Sequence, residues 1–230
     1  QKARNKSLKH GDKNTAFFHA SVGIRRRHNR ISALQKENGS WCETKEELVD
    51  EIGNHYSNIF NTSQPVNIEE VLDGVPHTIS QQMNENLIEP VEEKEVKDAV
   101  FSMHPNKAPG PDGMSPLFFQ KYWHIINLDV VSAIKSFFHS GYMLKAVNET
   151  LITLIPKVSA PTNINHYRPI SLCNVLFKIV SKILANRLKK ILSKCISESQ
   201  SAFVPGRQIL DNVFLAHEVM DFLKHKRTGR

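Results

Sequence analysis

The sequence predicts an α+β fold that is mostly helical, with a small antiparallel hairpin sheet. Two observations carry that prediction. Apolar residues recur at helical spacing in most of the chain, as in Val96, Ala99, Val100 and Met103. Only two well-defined β runs occur in the second half, Leu151 to Pro156 and Arg168 to Leu172, and a polar loop from Val158 to Tyr167 separates them.

In chain order, residues 13–24 predict a short helix with Phe17, Phe18 and Val22 apolar. A hairpin follows, with Ile31 and Leu34 on one arm, an Asn38-Gly39 turn, and Trp41 opening the other arm. Thr44 then starts a helix, with Glu47 three residues on as a capping box and Leu48, Ile52, Tyr56 and Ile59 along one side. Asn61 to Asn67 is polar and predicts a linker. Residues 68–90 are weakly patterned, so 66–90 are expected to be a linker between a basic segment, 1–65, and a larger domain, 91–230.

That domain opens with a helix from Glu92 to Met103, acidic in its first turn. Pro105, Pro109 and Pro111 then forbid helix through residue 113. Leu117 to Trp123 and Asp129 to His139 are apolar-periodic helices. Asn174 to Leu192 is the clearest amphipathic helix, with Leu176, Ile179, Val180, Ile183, Leu184, Leu188 and Ile191 on one side. Ile209 to Leu223 is the last.

The chain has 230 residues, 40% of them hydrophobic, enough for one or two domains with a core. No apolar run reaches the ~20 residues that span a bilayer, and no signal peptide is visible, so an intracellular protein with no membrane partner is expected. Cys42, Cys173 and Cys195 are far apart and form no zinc-ligand spacing. The first residue is Gln1, not Met, and a chain cut at both ends is expected. The net charge of +7 favours a polyanionic partner. The basic residues cluster at Lys2 to Lys9, at Arg25, Arg26, Arg27 and Arg30, at Lys189 to Lys194, and at Lys224 to Arg230.

Several motifs invite chemistry. "NKAPGPDGMS" is not a phosphate loop: Gly110 and Gly113 stand three apart, no Lys-Ser/Thr follows, and the prolines remove amide donors. On chemistry alone it is a rigid turn with Asp112 as a helix cap. Lys157 and Arg168 flank the loop between the two β runs, so a hairpin would bring both to its mouth. An Arg fork and a mobile Lys are a fitting pair for phosphate oxygens, although both are also ordinary solvated strand-end residues. Lys178, Lys182, Arg187, Lys189 and Lys190 lie mostly off the apolar face of their helix. On the residues alone, such a basic helix surface is a solvated one.

The strings "HPNKAPGPDGMSPLFFQKYW", "LITLIPK" followed by "YRPISLCNVLFKIVSKILANRL", and "QSAFVPGRQILDN" resemble, in order and spacing, the reverse transcriptase of plant LINE-type (non-LTR) retrotransposons. The resemblance implies the fingers and start of the palm of a right-hand polymerase. It implies that Lys157 and Arg168 bind the incoming triphosphate. Lys107, Gln200, Phe203, Gly206 and Arg207 would then contact the template. "GDKNTAFFHASVGIRRRHNRISAL" resembles the segment that precedes the polymerase in such proteins, which makes Arg25, Arg26, Arg27 and Arg30 a nucleic-acid patch or a solvated charge run.

The implied partners are an RNA template, a DNA primer and deoxynucleoside triphosphates, in the nucleus or cytoplasm. The implied metal is Mg²⁺ in the parent enzyme only. The family's metal-binding aspartates are expected beyond Arg230, there is no adjacent Asp-Asp pair, and Asp112, Asp211 and Asp221 match none of those blocks. The chain alone is therefore expected not to polymerise. A non-catalytic nucleic-acid-binding module and an unselected pseudogene product are the alternatives.

Overall fold

The computed structural model describes residues 16–197, 200, 201, 204 and 206–226. The basic run Lys2 to Lys9, residues 13–15 of the first expected helix, the side chain of Phe18, Phe203, Pro205, Arg227 and Arg230 lie outside that set. The described part is mostly helical, with two small two-stranded sheets. Packing divides the chain into two units. One unit comprises residues 1–67 and 151–172, and the other residues 68–150 and 173–230.

In the first unit, α1 runs Ala16–His28. It continues four residues past the expected end because Arg25 to Arg27 are good helix formers whose charge suits a helix C-terminus. Next, β1 (Leu34–Gln35) pairs antiparallel with β2 (Trp41–Cys42), Leu34 opposite Cys42. Gly39 takes φ +85° in the turn, which only glycine adopts without strain.

Helix α2 spans Lys45–Phe60. Thr44 accepts from the Glu47 backbone N–H, and the Glu47 carboxylate accepts from the backbone of Glu43 and Thr44. Those backbone bonds hold the Glu47 carboxyl below its ordinary value. Thr44→Ala is expected to cost about 1 kcal/mol in urea unfolding at constant m, the usual worth of an N-cap.

The strands β3 (Thr150–Pro156) and β4 (Tyr167–Cys173) pair with each other. Their short connection forces a hairpin, since a parallel pair needs a longer crossover. The core of this unit is Leu34, Tyr56, Ile164 and Tyr167, with Ile31, Leu48, Ile52 and Leu154 packed against it. Ile59, expected on the same helix face, is exposed.

The second unit begins where no helix was expected. Short helices α3 (Ile68–Asp73) and α4 (Gln81–Ile88) occupy the stretch read as linker. Neither buries a residue, so no strong periodicity marked them. Helices α5 (Glu93–Ser102), α6 (Pro116–Lys121) and α7 (Trp123–Ser140) follow. After α7 come a single turn, α8 (Lys145–Asn148), then α9 (Val175–Lys189), a second single turn, α10 (Leu192–Cys195), and α11 (Ile209–His225).

The core is formed by Val96, Ala99 and Val100 of α5, Phe119 of α6, Trp123, Val130, Val131 and Ile134 of α7, and Val175, Ile179, Val180 and Ile183 of α9. Gln120 donates to the carbonyls of Val100 and Met103 at 2.9 and 2.8 Å, satisfying the end of α5. The helix α11 buries no residue, and Phe214, Leu215 and Phe222 are each about 60% exposed. Among the described residues, no helix is long and apolar enough to cross a membrane.

Candidate nucleic-acid and nucleotide interface

The hairpin β3–β4 positions the first pair of candidate residues. The backbone N–H of Lys157 donates to the His166 carbonyl at 2.7 Å. Continued along the hairpin, that register sets Arg168 opposite Ile155 and puts Lys157 and Arg168 diagonally on one face. Leu154 and Tyr167 fall on the other face, packed into the core. Burial raises the Tyr167 phenol above its ordinary pKa.

Lys157 and Arg168 are both exposed. The Lys157 ammonium donates to the Asn165 carbonyl at 2.7 Å, which holds it over the connecting loop with two donors to spare. The Arg168 side chain has no hydrogen bond or ion pair among the described residues. A fixed Lys and a free Arg fork on one solvent-facing surface can bind phosphate oxygens together.

The loop 104–115 presents Lys107, exposed and without a side-chain partner among the described residues. The rest of the loop is held tightly. Lys178 donates to the Ala108 carbonyl at 2.8 Å, and Asn174 accepts from the Asp112 backbone N–H at 3.2 Å. Gly110 is buried between these points, and a Cβ there would come under 3.0 Å from Asn174 and Cys173. Asp112 does not cap a helix, contrary to expectation. Its carboxylate accepts from the Met114 N–H two residues on, closing a local turn, and the residue before α6 is Ser115.

Among the remaining template candidates, Gln200 is exposed and Gly206 stands at φ +82° in a turn closed by Arg207 N–H to the Val204 carbonyl at 3.3 Å. Arg207 is not free. Its guanidinium donates to the carbonyls of Ser197, Gln200 (2.8 Å) and Ile196 (3.4 Å), so it clamps the preceding loop. Phe203 lies outside the described residues. Arg25, Arg26, Arg27 and Arg30 are all exposed at the end of α1, with no side-chain partner among the described residues.

One basic residue of α9 is misplaced by the sequence reading. Arg187 is buried, its side chain 7% exposed. It donates from Nε to Glu95 Oε1 at 3.0 Å and from Nη2 to Glu95 Oε2 at 2.6 Å. It also donates to the carbonyls of Leu87, Glu89 and Pro90 at 3.0, 2.6 and 3.4 Å. The bond from Arg187 holds the Glu95 carboxyl below its ordinary range, and Glu95 in turn raises Arg187. The signal was available: Ile179, Ile183 and Arg187 form one i, i+4 row. Leu184 and Leu188, expected in the core, are nearly half exposed beside it. Lys182 is half-buried, and Lys189 and Lys190 are exposed.

Residues 155–229 match the family described as reverse transcriptase (RNA-dependent DNA polymerase). The chain carries part of a reverse-transcriptase domain. It is 33% identical over 220 residues to the transposon TX1 uncharacterized 149 kDa protein of Xenopus laevis, covering 95% of this chain and 17% of that protein. It is 28% identical to the RNA-directed DNA polymerase from mobile element jockey of Drosophila melanogaster, over 75% of this chain and 19% of the relative. The jockey polymerase of Drosophila funebris gives 27% identity over 68% of this chain and 17% of the relative. The chain thus spans less than a fifth of the length of each of these three relatives. They support a LINE-type reverse transcriptase, while the plant branch of the resemblance rests on the sequence strings alone.

The matched segment of the reverse-transcriptase domain includes Lys157, Arg168, Gln200, Phe203, Gly206 and Arg207; Lys107 lies upstream of it. The divalent metal of such enzymes does not fit the residues described. No group of three or more His, Cys, Asp or Glu side chains converges among them. The carboxylates nearest the motifs are engaged locally, Asp112 with Met114, Asp211 with the Gln208 N–H, and Asp221 with His225.

Proposed function

We propose that this chain is the template- and nucleotide-holding portion of a LINE-type, RNA-directed DNA polymerase of the plant branch. It would comprise a basic pre-polymerase segment (1–65), a connecting stretch (66–90), and the fingers with the start of the palm (91–230). Lys157 and Arg168 would bind the triphosphate. Lys107, Gln200, Phe203, Gly206 and Arg207 would follow the template strand, with Arg25, Arg26, Arg27 and Arg30 holding RNA upstream. Work on RNA puts the parent in the nucleus or cytoplasm.

The observation that carries the reading is the solvent-facing pair on the hairpin, within the segment matched to reverse transcriptases. A phosphate chain entering there would meet the free Arg168 fork first and gain the spare donors of Lys157 second. In the whole enzyme this fixes the triphosphate for attack by a primer 3′-hydroxyl. The chain itself contributes binding and charge neutralisation, and it is expected to show no polymerase activity alone. The test is joint replacement of Lys157 and Arg168 by Ala, which should weaken triphosphate binding and leave RNA affinity nearly unchanged. Equal loss of both would sink the hairpin assignment.

A second reading, a nucleic-acid-binding module without catalysis, is favoured by one feature. Arg187–Glu95 is the only ion pair of a Lys or Arg among the described residues, so the charge of the other described basic side chains is not neutralised by a carboxylate. On either reading, log K for single-stranded RNA should fall linearly with log salt, with a slope of about −0.7 per phosphate contact. Fluorescence anisotropy across a salt series measures it, and a flat series would remove both readings.

A further inference from the structure

We infer that Asn174 and Lys178 position the 104–115 loop, and with it Lys107, for template binding; this rests on the template role proposed above for Lys107. Asn174 occupies the N-cap position of α9, with φ −62° and ψ 154°. Asn is among the preferred N-caps because its side chain can accept from the first helical amides. Here it makes no such bond. Its oxygen instead accepts the Asp112 N–H, and its amide nitrogen donates to the Ala146 and Val147 carbonyls at 2.9 and 3.1 Å. Asn174 is 3% exposed, so its end of each bond is buried, while Asp112 and Ala146 lie at the surface.

One helical turn later, Lys178 grips the Ala108 carbonyl. The two residues therefore hold the loop at both sides of Pro109, Gly110 and Pro111. Gly110 is the residue that lets the chain pass against Asn174, since any Cβ there collides with it. The prolines leave the segment little freedom of φ, so fixing Ala108 and Asp112 fixes the backbone from which Lys107 projects. Lys107 itself bonds to neither Asn174 nor Lys178. The α9 end thus selects where a free cation stands without touching its ligand.

The test is a double-substitution cycle on the 230-residue chain. Affinity for a fluorescein-labelled single-stranded RNA is read by anisotropy, and melting by circular dichroism confirms folding. Lys107→Ala should lose about fivefold at 0.1 M salt, the value of one single-strand phosphate contact. Asn174→Ala should lose a similar factor although it removes no charge. The double variant should lose little more than either single one, because a misplaced Lys107 has nothing further to give.

Independent, multiplying losses, or no loss from Asn174→Ala, overturn the inference while leaving the template role intact. No loss from Lys107→Ala removes the template role and the inference with it. Lys178→Met serves if Asn174→Ala does not fold, since it strands no buried polar group. A direct Lys178 contact to RNA would multiply with Lys107→Ala and overturn the inference for Lys178, whereas a positioning role would not.

Discussion

Arg187→Ala should destabilise the chain by about 3 kcal/mol, at the lower end of the cost of breaking a buried ion pair. The lower end applies because the Glu95 side chain is 33% exposed and regains some water. The loss exceeds an ordinary surface change because Arg187 ties three pieces of chain together. It joins Glu95 on α5 to the carbonyls of Leu87, Glu89 and Pro90 at the end of α4. Without it those carbonyls lose their charged donor, and α4, which buries nothing of its own, loses its anchor. Urea unfolding should show a lower midpoint, and proteolysis should begin in residues 81–90. Unchanged stability would show that water replaces the guanidinium at little cost.

The same pair sets an acid limit. Its bond to Arg187 holds Glu95 below the ordinary 4.5, so the folded state binds that proton less readily than the unfolded chain. The resulting stability is fully present above the ordinary carboxylate range and is lost as pH falls through the lowered folded value. Arg187, which the bond to Glu95 raises above its ordinary value, stays charged throughout and adds no pH dependence in the accessible range. Glu95→Gln should therefore flatten the acid limb of a stability–pH profile. An unaltered limb would assign acid unfolding to other carboxylates.

Arg187 also shows why the sequence was legible in some places and not in others. Features set by a few adjacent residues were read correctly. The Asn38-Gly39 hairpin, the Thr44 and Glu47 capping box and the two β runs depend on local backbone chemistry, and each forms as expected. The helices of the core followed from apolar spacing in the same way, whereas α3 and α4, which bury no residue, did not. What failed depended on partners far along the chain. Arg187 is buried because Glu95 lies across from it, ninety-two residues away in sequence. Asp112 accepts from Met114 in a local turn whose backbone Asn174 also holds, from sixty-two residues away. Periodicity ranks a position by residue type, so it placed Leu188 in the core and Arg187 outside it. A charged residue in an apolar i, i+4 row is read correctly only when its counter-charge is known. Of the candidate site, residue identities were legible, whereas the engagement of Arg207 with carbonyls and the freedom of Arg168 were not.

That freedom orders the effects expected at the hairpin. Arg168→Ala should weaken triphosphate affinity about thirtyfold, from ~2 kcal/mol for charge-assisted bonds to phosphate. Lys157→Ala should cost less, because its ammonium already donates to the Asn165 carbonyl and shares itself between loop and ligand. Arg168→Lys should recover only part of the loss, since a point charge cannot reproduce the two-pronged fork. The comparison is made as the KM for triphosphate in an active polymerase carrying this segment, with RNA affinity as the control. If Arg168 binds phosphate, KM rises while RNA affinity stays level. If the hairpin instead lies along the template, RNA affinity falls and KM for triphosphate moves only as far as the template does. A larger loss from Lys157 than from Arg168 would show that the Asn165 contact breaks on binding, making the ammonium the principal ligand.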